Sequence, residues 1–134
     1  DERTLLHARL IRDADKLDNC RVKLHDSIET MLGVSAEEVG KSTITPDVMA
    51  QFLDHQSIYS PTRKTKMDYW LSYLAYYFDI NFTETLEIIR ENHYVEQQIA
   101  RIPYADSETA AQMQDVKKIL QDYFASRIDG SEIC

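Results

Sequence analysis

The stretch KMDYWLSYLAYYFDINF, residues 66–82, decides the fold class. Drawn as a helix, it carries apolar and aromatic side chains nearly all round. A helix of this kind usually lies at the centre of a bundle. We therefore predict a central helix whose aromatic side chains pack in the core. A base-stacking platform is the alternative, but no lysine or arginine is interleaved with the aromatic run, which favours core packing.

Helical patterns also extend to both sides of this stretch. The chain has only three glycines and three prolines among 134 residues, which favours long helices joined by short loops. Residues 56–66 form the longest polar stretch and indicate a surface loop. The sequence predicts a single all-α domain, 1–134, built as a compact bundle of about five or six helices. The first predicted helix covers residues ~3–31, as one helix or two with a bend, and a short helix follows near 36–40. The next helix starts at Pro46 and precedes the central helix. Two more helices follow, one that Pro103 ends and one over residues ~107–126.

Composition limits the classes of partner. The net charge of −8 disfavours duplex nucleic acid and anionic membranes. A local basic patch could override this, but Arg63, Lys64 and Lys66 indicate a solvated loop. Cys20 and Cys134 form no disulfide framework, and we expect a cytoplasmic protein. No apolar run approaches the roughly 18 residues of a membrane span, and no signal peptide is visible.

An acidic cluster, Asp13, Asp15 and Asp18, lies in LIRDADKLDN, residues 10–19. Aspartate is a poor residue for a helix interior, so its concentration here needs a reason. On a helical wheel Asp18 falls closest to the apolar stripe, Asp13 flanks the stripe on its other side, and Asp15 points further away. A salt-bridged helix surface, with nearby arginines and lysines as partners, is one interpretation. A divalent-cation site is the other, since clustered carboxylates suit hard cations.

The stretch LLHARLIRDADKLDN, residues 5–19, resembles the terminal motif of the HD-domain metal-dependent phosphohydrolases. The resemblance implies that Asp15 is the last ligand of a metal centre, supported by Lys16, Asp18 and Asp13. It implies a divalent metal (Mn, Mg, Co, Ni or Fe) and a small phosphorylated substrate such as a nucleotide. The remaining helices are similar to the C-terminal helices of bacterial HD-domain proteins. Whether the protein forms a homo-oligomer is left open.

The same motif requires a His and a His-Asp pair upstream of Asp15. Only His7 precedes it, and the pair His25-Asp26 lies downstream, in the wrong chain order. Because the sequence also begins with Asp1 rather than Met, we expect a C-terminal fragment of a longer HD-domain protein, inactive alone. The alternative is a non-catalytic helical module for regulation or protein interaction.

Overall fold

The computed structural model describes residues 1–129, and all the regular secondary structure in that range is helical. The all-α prediction is therefore confirmed. Two short 3₁₀ turns, Ser60–Thr62 and Tyr76–Asp79, accompany the α-helices. The α-helices of the described range are α1 Glu2–His25, α2 Ile28–Leu32, α3 Ala36–Lys41, α4 Pro46–Leu53, α5 Lys66–Ala75, α6 Thr83–Glu91, α7 Tyr94–Ala100 and α8 Ser107–Asp129.

Eight α-helices occur in residues 1–129 instead of the five or six predicted, because two expected helices are interrupted. Asp26 has an extended backbone with ψ of 153°, and Ser27 accepts a hydrogen bond from the Thr30 amide at 3.1 Å to begin α2. The second break falls at His93, whose φ of 55° separates α6 from α7. The first break is the bend that the sequence allowed within residues ~3–31, and the second was not predicted. Neither break carries glycine or proline.

Several helix ends follow the ordinary chemistry of helix caps. Gly33 ends α2 in the left-handed conformation, with φ of 78°. Ser35 begins α3 by accepting a hydrogen bond from the Glu38 amide at 3.2 Å. Pro46 occupies the first turn of α4, where its missing amide hydrogen costs nothing. These residues fix the lengths of the short helices that surround the core.

The core centres on α5, as the sequence predicts. Trp70, Leu71 and Leu74 are fully buried there. The long helix α8 adds a buried stripe, and α6 and α7 pack against it. The aromatic run is not wholly internal, however, because Tyr76 is 38% exposed and its neighbours Tyr69 and Tyr73 are only half-buried. The buried side chains of α8 are Thr109, Met113, Val116, Leu120, Phe124 and Ile128.

Helix α3 approaches the loop between α7 and α8 very closely at Gly40. The Ala105 amide donates to the Gly40 carbonyl oxygen at 2.9 Å. A β-carbon built on Gly40 would lie 2.0 Å from the carbonyl oxygen of Pro103. Only glycine fits here, because the obstructing atom belongs to the backbone.

Helix α1 packs against α6 and α7, and this contact positions the acidic cluster. The Arg101 side chain donates to the carbonyl oxygens of Lys23 and Asp26, which satisfies acceptors at the C-terminal end of α1. The first three turns differ from the rest, since their large apolar side chains are about half exposed or more. Those side chains are Leu5 at 50%, Leu6 at 48%, Leu10 at 50% and Ile11 at 69%.

Candidate functional site

Asp13 is buried, with only 3% of its surface exposed, and its carboxylate joins α1 to the start of α6. Oδ1 accepts from the Asn81 amide at 2.8 Å and from Asn81 Nδ2 at 3.0 Å. Oδ2 accepts from the Phe82 amide at 2.9 Å and from Thr85 Oγ1 at 2.9 Å. These four donors match the roughly four acceptor sites of an ionised carboxylate.

This arrangement makes Asp13 a helix cap supplied from another helix. The residue at the N-cap position of α6 is Phe82, whose side chain cannot accept a hydrogen bond. A carboxylate at a helix N-terminus satisfies free amides and interacts favourably with the helix dipole. The oxygens of Asp13 are therefore engaged by α6, and the geometry assigns this residue a structural role.

Asp18 lies on the exposed side of α1, opposite to the expectation from the helical wheel. Its side chain is 74% exposed and pairs with Arg21 at 3.5 Å. The contact with α6 and α7 instead buries the face of α1 that carries Asp13 and Cys20. Sequence periodicity could not settle this, because α1 carries apolar residues on both faces. An exposed pair of this kind contributes little to stability.

Asp15 is exposed and follows Asp13 by two positions, which turns it about 200° around the helix. Its carboxylate thus points away from α6 and α7. Within residues 1–129 it makes no hydrogen bond or ion pair, so both oxygens are free to bind a ligand. The same side of α1 carries Ile11, 69% exposed, and Val22, 40% exposed. Lys16 is half-buried next to Asp15.

The structure separates the four residues singled out from the sequence. Asp13 faces α6, Asp15 and Asp18 face solvent, and Lys16 lies between these two sides. In the part of the chain that the structure describes, no three His, Cys, Asp or Glu side chains converge to hold a metal ion. Asp15 could therefore serve only as one ligand of a centre whose other ligands come from outside these residues.

A second polar feature is the buried contact between α1, α5 and α7. The Tyr77 hydroxyl donates to Gln98 Oε1 at 2.9 Å. Burial raises the pKa of the neighbouring Cys20 thiol and raises the pKa of Tyr77 well above its ordinary value. Both groups are therefore neutral at physiological pH. A protonated, enclosed thiol is a poor nucleophile, so Cys20 belongs to the packing of α1.

Comparison with known proteins returned no match: no protein-family model, no curated protein and no solved structure resembles the chain closely enough to align with it. Among residues 1–129, none of the helices combines the length and the apolar composition that a membrane span needs.

Proposed function

We propose that this chain is the C-terminal part of an HD-type metal-dependent phosphohydrolase that acts on a phosphoester such as a nucleotide. In this proposal Asp15 provides the last ligand of the metal centre. The remaining ligands, a His and a His-Asp pair, come from a polypeptide segment that packs on the exposed side of α1. The proposal rests on the motif in residues 5–19 and on the position of Asp15.

The observation that carries the proposal is the free carboxylate of Asp15 beside exposed apolar residues. A surface that is covered by a further segment is expected to keep apolar side chains for that contact. Ile11 and Val22 provide such side chains, and Ile11 is one helical turn from Asp15. The opposite side of α1 already packs against α6 through Asp13, so the segment would approach from the side of Asp15.

The chemistry of Asp15 fits the metal that the motif implies. Carboxylate oxygens suit hard divalent cations, and imidazole nitrogens complete sites for Mn, Co, Ni and Fe. When bound, such a metal lowers the pKa of a water molecule and stabilises negative charge on phosphoryl oxygens. Asp15 would contribute a fixed negative oxygen ligand, because α1 is anchored to the bundle through Asp13.

The second candidate is a non-catalytic helical module that binds another protein. The observation that favours it is the exposure of Leu5, Leu6 and Leu10, each about half exposed on the first turns of α1. Exposed apolar patches often mark sites of protein interaction. The coding sequence upstream of Asp1 distinguishes the two: a His and a His-Asp pair on predicted helices support the enzyme, and a start codon near Asp1 supports the module.

The direct test compares Asp15→Asn with wild type in the protein that the complete gene encodes. We expect the variant to lose its bound metal and to hydrolyse bis(p-nitrophenyl) phosphate at least about 100-fold more slowly, because a ligand is removed. Asp115→Asn, on the exposed surface of α8, is the matched control and should keep both properties. Full metal content and full activity in Asp15→Asn would reject the proposed function.

A further inference from the structure

Three tyrosines form a row on one face of α5 and the 3₁₀ turn that follows it. We call Tyr69, Tyr73 and Tyr76 the tyrosine stripe; their spacing of four and three residues places them on one helical face. Tyr76 is 38% exposed, and the other two are half-buried, so each ring offers part of its surface to solvent. The rings of Tyr73 and Tyr76 are 6.3 Å apart between centroids and tilted by 34°.

Positive side chains from three parts of the chain lie over this stripe. The Arg63 guanidinium carbon is 4.4 Å from the Tyr69 ring centroid, and Lys66 Nζ is 5.5 Å from the same centroid. Lys23, from α1, places its Nζ 4.3 Å from the centroid of Tyr73. These distances are typical of cation–π contacts. Arg63 and Lys66 directly precede the aromatic run in sequence, and the tertiary fold adds Lys23 from α1.

Two of the three cations, Arg63 and Lys23, are held against the protein, whereas Lys66 is exposed. Arg63 donates to the Ser60 carbonyl oxygen and to Ser72 Oγ, each at 3.3 Å. Burial lowers the pKa of Lys23, and the nearby carboxylate of Asp26 opposes this effect. A cationic surface of this kind stands out because the whole chain has a net charge of −8.

We propose that the tyrosine stripe and its cations bind single-stranded nucleic acid. Single strands are bound by aromatic rings on which bases stack, in a positive surface that follows the phosphates. Arg guanidinium planes also stack on bases. A duplex keeps its bases stacked inside, so the tyrosines would contribute little to binding it. An acidic protein or an anionic lipid surface would use the cations alone. This inference is independent of the function proposed for Asp15.

The test measures fluorescence anisotropy of a labelled single strand of about 15 nucleotides at low salt, where the phosphate contacts are strongest. We expect saturable binding that is at least about tenfold tighter than binding of a duplex of the same length. Tyr76→Leu should weaken binding about tenfold, because Tyr76 is the most exposed ring of the stripe, whereas cations already cover one face of Tyr69 and of Tyr73. Tyr76→Phe keeps the ring and should bind like wild type, and an unchanged circular dichroism spectrum of Tyr76→Leu separates loss of stacking from loss of folding.

A charge variant tests the phosphate contacts. The triple variant Lys23→Gln, Arg63→Gln, Lys66→Gln should reduce the slope of log affinity against log salt by about 2, since each single-strand contact contributes roughly 0.7. The control removes three positive charges elsewhere and should keep the wild-type slope. The control positions, all exposed, are Lys41, Arg90 and Lys118.

Three results would each overturn the proposal. The first is the absence of saturable single-strand binding at low salt. The second is equal affinity for the single strand and the duplex, which indicates general attraction of polyanions. The third is unchanged affinity in Tyr76→Leu, which indicates that the strand binds through charge alone.

Discussion

Replacement of Asp13 by alanine tests how α1 is anchored to the rest of the bundle. The change removes a buried carboxylate and the four hydrogen bonds that it accepts from Asn81, Phe82 and Thr85. Two of the four donors are backbone amides at the start of α6, and that helix has no side-chain cap of its own. Each buried donor left without a partner costs about 1–3 kcal/mol.

The total cost is smaller than the sum of four bonds. Asn81 is exposed, so water can reach part of its side chain and replace one partner. Counting the two amides as the main loss, we expect Asp13→Ala to lower the free energy of unfolding by about 3 kcal/mol. That is a large part of the 5–15 kcal/mol that stabilises typical domains.

Urea denaturation followed by circular dichroism measures this loss. The midpoint should fall while the slope of free energy against urea stays unchanged, because the exposed area is similar in both proteins. Asp15→Ala is the matched control on the same helix and should change stability by no more than about 0.5 kcal/mol, since the side chain is exposed. A loss below about 1 kcal/mol for Asp13→Ala, or an equal loss for Asp15→Ala, would refute this reasoning.

Three further predictions concern other parts of the fold. Gly40→Ala should destabilise the protein by about 2 kcal/mol in urea denaturation, because its β-carbon meets the Pro103 backbone; unchanged stability would contradict the close approach. Burial raises the pKa of Asp68, but four hydrogen bonds outweigh burial and leave that pKa below its ordinary value. The stability that Asp68 contributes is therefore present above about pH 4 and lost as the pH falls through the folded-state pKa. Below about pH 4, the free energy of unfolding of Asp68→Asn should depend less steeply on pH than that of wild type. Cys20, followed by mass spectrometry in the Cys134→Ser variant, should react with iodoacetamide far more slowly in the folded protein than in urea, because burial raises its pKa; equal rates would show that the thiol is accessible.

The fold class was predictable because the deciding signals are local. Such signals include the apolar residues of α5, the proline at the start of α4 and the glycine that ends α2. Each of them determines the backbone conformation of residues only a few positions away. Local signals of this kind do not predict features that depend on tertiary contacts. The break after α1 is followed by the Ser27 cap of α2, whereas the break at His93 has a left-handed backbone at a residue that is neither glycine nor proline.

The acidic cluster shows the same limit at the level of single side chains. Helical periodicity correctly separates Asp15 from the buried stripe, but it favours Asp18 over Asp13 as the carboxylate next to the core. The donors that bury Asp13 come from Asn81 and Phe82, almost seventy positions away in sequence. No local pattern connects these positions, so only the packing of α6 on α1 identifies Asp13 as the structural aspartate.

One of the cations over the tyrosine stripe, Lys23, could not be predicted from the sequence. Lys23 lies about fifty residues before Tyr73 in the chain, and their contact depends on how α1 packs beside α5. In sequence the aromatic run has no interleaved positive residue, which favoured an interpretation as core alone. The structure divides the run instead into a buried side and the exposed tyrosine stripe.

We propose that Asp15, and neither Asp13 nor Asp18, binds a catalytic metal. The most direct measurement is the anomalous diffraction of the protein encoded by the complete gene, crystallised with Mn²⁺ and recorded at the manganese edge. We predict a manganese peak within bonding distance of an Asp15 carboxylate oxygen, with histidine ligands from the segment that covers α1. A manganese centre without Asp15 among its ligands, or no manganese on this side of α1, would contradict the account.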